Sequence, residues 1–160
     1  MTESKHTAAM MERRDFLAAA GSGVIALMAT AMVPGIAFAK PEDAAKAISE
    51  YTGGKAVQEG KVSLKLPQIA ENGNTVPVTV MVDSPQTADN YVKKIHIVSE
   101  GNPTPFIASF NLSPMSGKAD VSARMRMART QNVVAVAEMS DGTFFAAKKQ
   151  IKVTIGGCGG

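Results

Sequence analysis

From Lys61 to Ile155 apolar and polar residues alternate with a period of two, and a chain so patterned folds into half-buried strands rather than helices. Lys61–Leu66 sets Val62, Leu64 and Leu66 on one face. Thr75–Asp83 does the same with Val76, Val78, Val80 and Val82. Tyr91–Glu100 carries Ile95 and Ile97, and Pro105–Leu112 carries Phe106, Ala108, Phe110 and Leu112. Asp120–Ala128 sets Val121, Ala123, Met125 and Met127 against Arg124 and Arg126. Gln131–Met139 is apolar on both faces. Thr143–Ile155 is long and ends with Ile151, Val153 and Ile155 inward. Turn residues separate the segments: Asn72-Gly73-Asn74, Ser84-Pro85, Gly101-Asn102-Pro103, Ser113-Pro114 with Gly117, and Asp141-Gly142.

Seven strands with no helix between them imply an all-β fold, an immunoglobulin-like antiparallel β-sandwich of about seven strands. The inter-sheet disulfide and core tryptophan common in such folds are absent, so the expectation rests on strand count. Pro41–Tyr51 reads as one short helix before the strands. Proline and two acids suit its first turn, and Ala44, Ala47, Ile48 and Tyr51 fall on one face. Gly53-Gly54 ends it. A strand apolar on both faces, as Gln131–Met139 is, belongs within the sandwich or beneath a partner. The inward-alternating methionines read as core.

Little in this sequence can do chemistry. After residue 39 there is one histidine, His96, expected to be exposed on its strand; a triad, a zinc site or a blue-copper site needs more. Glu71, Asp83, Glu100, Glu138 and Asp141 sit mostly at strand ends and read as solvated. Lys148, Lys149 and Lys152 suit a solvated strand. No glycine-rich phosphate loop leads from a strand into a helix, and no basic run interleaves with aromatics, so neither nucleotide nor nucleic acid is indicated. No catalytic residue, metal ligand or cofactor is expected.

The two ends carry the signals. Glu12-Arg13-Arg14-Asp15-Phe16-Leu17 is a twin-arginine pattern, followed by a mild apolar run from Ala18 to Ile36 and by Ala37-Phe38-Ala39, a small-x-small cleavage site. Gly21, Gly23, Pro34 and Gly35 interrupt the run, which argues for a cleaved leader over a membrane anchor. The expected division is a twin-arginine signal peptide over 1–39, a sandwich domain over 40–155 and a carrier arm over 156–160, with the product in the periplasm and not stably inserted in a membrane. The net charge of +3 is unchanged by cleavage, because residues 1–39 carry three basic and three acidic groups.

At the other end stands Gly156-Gly157-Cys158-Gly159-Gly160, and Cys158 is the only cysteine. A single cysteine in an exported chain implies an intermolecular bond or a thiol kept free for chemistry. Four glycines impose no shape of their own. Extended from Ile155, such an arm carries the sulfur roughly 10 Å outward. The residues describe a carrier that holds a group on sulfur and hands it to enzymes.

Together these residues resemble the SoxY family, the covalent sulfur carriers of the bacterial Sox thiosulfate-oxidising system. The resemblance lies in Val153-Thr154-Ile155 before the glycine tail, in Ile69-Ala70-Glu71-Asn72-Gly73 followed by Val76-Pro77-Val78, in Asp83-Ser84-Pro85, and in Ala135-Val136-Ala137-Glu138-Met139 before Asp141-Gly142. It implies that Cys158 is the covalent attachment point for sulfur and that Gly156, Gly157, Gly159 and Gly160 form the arm. It implies a heterodimer with a SoxZ-like subunit, loading by the SoxA–SoxX cytochrome, sulfate release by the SoxB hydrolase, and further oxidation by the SoxC–SoxD dehydrogenase where present. A disulfide-linked dimer through Cys158 is also open. Two other readings stand beside it. One is a ubiquitin-like carrier activated as a thiocarboxylate at Gly159-Gly160, and the other is a periplasmic sandwich module for binding or assembly.

Overall fold

A computed structural model describes residues 40–157, which form one unit. The expected leader, its cleavage site and Cys158, Gly159 and Gly160 lie outside the described residues. Among the described residues no helix is long and apolar enough to cross a membrane.

The chain is mostly β. Helix α1 (Pro41–Thr52) is followed by β1 (Val57–Glu59), β2 (Val62–Lys65), β3 (Ile69–Asn72), β4 (Val76–Val82), β5 (Val92–Ser99), β6 (Phe106–Asn111), a 3₁₀ turn at Pro114–Ser116, β7 (Asp120–Met125), β8 (Gln131–Met139) and β9 (Phe144–Ile155). One sheet has the order β1-β9-β8-β5-β6, and the other has β2-β4-β7. All seven expected strands are present and pair antiparallel with one another. Two more, β1 and β3, pair parallel with β9 at its two ends, Val57 against Phe144 and Asn72 against Ile155.

The core lies between the sheets. Val76, Val78, Val80 and Val82 from β4 face Ile95, Ile97, Val133, Ala135, Ala137 and Ile151. Each fully buried valine or isoleucine among them contributes about 1.5–3 kcal/mol. Met125, Met127 and Met139 are buried here, as the alternation implies, whereas Met115 is exposed on the 3₁₀ turn.

The second apolar face of β8 is covered by the chain itself. Val134 and Val136 pack with Phe144, Ile48 and Ala146 in a smaller cluster under α1. The helix forms as its pattern implies. Asp43 accepts a hydrogen bond from the Lys40 N–H at 2.7 Å, and Gly53 ends the helix in the left-handed conformation at φ 61°. The doubly apolar strand therefore needs no partner to explain it.

Four local expectations are corrected. Ile155, expected inward, is 65% exposed, because β9 runs on beyond Ile151, the last residue it pairs with β8. His96 is buried rather than exposed, because α1 lays Tyr51 flat on its ring, with centroids 4.2 Å apart and planes within 1°. Phe106 leaves the core because a bulge in the β5–β6 pairing shifts the alternation by one residue. Ile107 then packs on the core, and Phe106 turns out toward Tyr51, 6.1 Å away. Glu100 and Glu138 are not simply solvated, since Lys148 and Lys93 pair with them.

Burial pushes the His96 imidazole below its ordinary value; Lys94 adds to the effect and Glu138 opposes it. Its Nδ1 has no hydrogen-bond partner. Between its folded value and the unfolded value of about 6.5 the unfolded chain binds more protons, so stability falls as pH drops through that window. We expect the melting temperature to decline from pH 7.5 to 5.5, and His96→Phe to flatten the decline. Parallel curves for the two proteins would remove His96 as the cause.

Candidate functional site

The end of β9 is stitched on both sides. On one side β3 runs parallel to it, and the turn after β3 continues the contact: the Gly73 N–H donates to the Ile155 carbonyl at 2.7 Å. The Asn72 side chain shapes this turn by accepting from the Asn74 N–H at 2.9 Å. On the other side β8 has ended, and the β7–β8 connection takes its place. The Thr130 hydroxyl accepts from the Val153 N–H at 3.0 Å and donates back to the Val153 carbonyl. The Met127 N–H donates to the Gly73 carbonyl at 2.8 Å, and the Gly157 N–H donates to the Met127 carbonyl at 2.9 Å. Met127 is fully buried, so this circuit of backbone bonds is rooted in the core.

Glycine is required in this circuit for space. A Cβ on Gly156 would overlap the Ala128 carbonyl oxygen. One on Gly157 would overlap the backbone of Gly73 and Asn74. One on Gly73 would overlap the Met127 carbonyl oxygen and lie 2.7 Å from the Gly157 nitrogen. None of the three has a left-handed φ. They are glycines because three backbones approach more closely than side chains allow.

The expected arm thus divides. Gly156 and Gly157 are seated at the end of the sandwich, while Cys158, Gly159 and Gly160 lie beyond the described residues. The structure also adds Gly73, Met127 and Asn102 to the site. Asn102 is buried in the β5–β6 loop, where its amide donates to the Arg126 carbonyl at 2.8 Å and its oxygen accepts from the Ala128 N–H at 3.0 Å. Gly73 and Asn102 read in the sequence only as turn residues, and nothing in their spacing signals contact with the tail.

Among the described residues no group of three His, Cys, Asp or Glu could hold a metal ion. Next to the seat Ile155 is 65% exposed; Ile69, 56% exposed, lies at the far end of β3 opposite Lys152.

These features define a β-sandwich whose last strand runs on, through a seat built for glycine, into a tail bearing its one cysteine. The family described as sulfur oxidation protein SoxY matches residues 48–158, a span that includes Cys158. A solved structure of the sulfur carrier protein SoxY from Chlorobium limicola f thiosulfatophilum is 38% identical, covers 71% of this chain and 98% of its own, and superposes with a TM-score of 0.61. The chain belongs to the SoxY family of sulfur carriers. A superoxide reductase (neelaredoxin) from Ignicoccus hospitalis, 19% identical over 59% of this chain and 80% of its own with a TM-score of 0.53, shares the fold alone. No curated protein matches the chain.

Proposed function

We propose that this chain is a periplasmic carrier that holds thiosulfate-derived sulfur covalently on Cys158 and presents it to separate Sox enzymes. The observation that carries the reading is the family match extending to Cys158 itself. The likeness to a solved sulfur carrier over nearly all of that protein's length supports it. The chain is a substrate of the reaction rather than its catalyst.

In the loading step the Cys158 S–H bond is lost and an S–S bond forms to the terminal sulfur of thiosulfate. Two electrons pass to a c-type cytochrome and a proton passes to solvent. Hydrolysis of the bond to the sulfonate then releases sulfate and leaves one sulfane sulfur on the cysteine. An unperturbed thiol, a few per cent ionised near neutral pH, suffices when the enzyme supplies the catalysis. Exposure to thiosulfate with the oxidising cytochrome should add one S₂O₃ group at Cys158, read by intact mass and peptide mapping. A mass that never changes, or an adduct elsewhere, would end the reading.

Export by the twin-arginine route belongs to the same proposal. Mature protein is expected to begin at Lys40, and Arg13→Lys with Arg14→Lys should leave precursor in the cytoplasm. N-terminal sequencing and fractionation check both, and secretion of the double variant at the normal level would contradict the route. The proposed partner is a SoxZ-like subunit in a heterodimer. Because α1 already covers β8, support for that partner rests on the family alone. Co-purification of the two chains as a stable complex is the expected result, and a monodisperse monomer that loads and unloads sulfur unaided would contradict it.

A further inference from the structure

We propose that Gly73 is a positioning residue for the carrier thiol: its turn clamps Gly156 and Gly157 and so fixes the backbone point from which the chain leads to Cys158. The inference rests on the carrier reading and adds to it the place from which the cysteine departs. Gly73 donates to Ile155 and accepts from Met127, and Met127 in turn holds Gly157. Each link is a main-chain bond, and the contacts are too close for any side chain at positions 73, 156 or 157.

The consequence is a short tether. Cys158 is three residues from Ile155 but one from the held Gly157, a covalent reach of roughly 3.5 Å from the seat. An enzyme that takes the cysteine must then come down onto the sandwich end, against the exposed Ile155. Holding the departure point fixed also shrinks the volume the thiol searches. Misplacement of a reacting group by about 1 Å can lower a rate on the order of 10²-fold.

The test uses the mature carrier with its oxidising cytochrome and hydrolase, with thiosulfate as substrate. Gly73→Ala should lower kcat/KM for the carrier at least tenfold. Alkylation of Cys158 by iodoacetamide should stay within about twofold of wild type, because the thiol itself is unchanged. Hydrogen exchange at the Gly157 amide should accelerate. Gly157→Ala puts the same question from the tail side, where the segment can leave its seat without disturbing the core, and so serves if Gly73→Ala folds poorly. The double variant should be no worse than either single one, because both break one contact. Losses that multiply in the double variant, or wild-type kcat/KM in both single variants, would overturn the clamp. Cys158→Ser is run alongside: continued turnover there sinks the carrier reading, whereas its loss with normal glycine variants sinks the clamp alone.

Discussion

Replacing Cys158 with serine should take thiosulfate-dependent turnover to background and leave the fold as it is. No other cysteine exists to form the S–S bond, and a serine oxygen cannot stand in for sulfur in it. The core clusters and strand pairings described above all lie before residue 158, so the melting temperature should be unmoved, within about 0.5 kcal/mol of wild type. The same variant should lose the thiosulfate adduct in intact mass and any disulfide-linked dimer seen under oxidising conditions. The measurement is electron delivery to the cytochrome in the reconstituted reaction. Residual turnover above a tenth of wild type would mean that sulfur is carried somewhere else on the complex.

Period-two patterning made the sandwich legible because each expected strand keeps one face toward the core. The β4 valines are the clearest case: Val76, Val78, Val80 and Val82 are all buried. The pattern is silent where burial does not alternate. Strand β1 exposes all three of its residues, and β3 buries only Ala70, so neither carries a signal; both exist because β9 offers an open edge. The bulge opposite Ile97 and Val98 reverses the facing of Phe106, and no local residue announces it. The burial of His96 is not legible in its strand because it comes from α1, more than forty residues away in sequence. The site divides in the same way. Cys158 and its glycines stand out in composition, and composition alone ascribes the glycines to freedom of movement. The structure assigns them, at positions 156 and 157, to the absence of a side chain in a crowded seat. Contact between Gly73 and Gly157 is a property of the tertiary fold, and the sequence records only two glycines far apart.

The seat is only as firm as the loop that forms its far wall, and Asn102 holds that loop. Its amide nitrogen donates to the Arg126 carbonyl, while its oxygen accepts from the Ala128 N–H and from the Gln131 amide at 2.8 Å. Gln131, buried too, accepts from the Gly101 N–H at 2.6 Å and donates to the Arg129 carbonyl. Two loops are thus joined by one side-chain network just where Met127 and Ala128 meet the tail. Asn102→Ala removes the three Asn102 bonds, two of them part-buried, each worth about 0.5–1.5 kcal/mol. Water entering the vacated space recovers part of this, so the expected loss is about 3 kcal/mol, or a fall in melting temperature of about 10 °C. A large effect on stability from one neutral, buried loop side chain is the first mark of this arrangement. The second is that carrier turnover should fall as well, measured below the melting transition where the chain is folded, because the loop that accepts the Gly157 N–H has lost its tie. A shift of less than about 3 °C would show that the loop stands without Asn102. A large shift with unaltered turnover would place Asn102 in the fold but separate it from the seating of the tail.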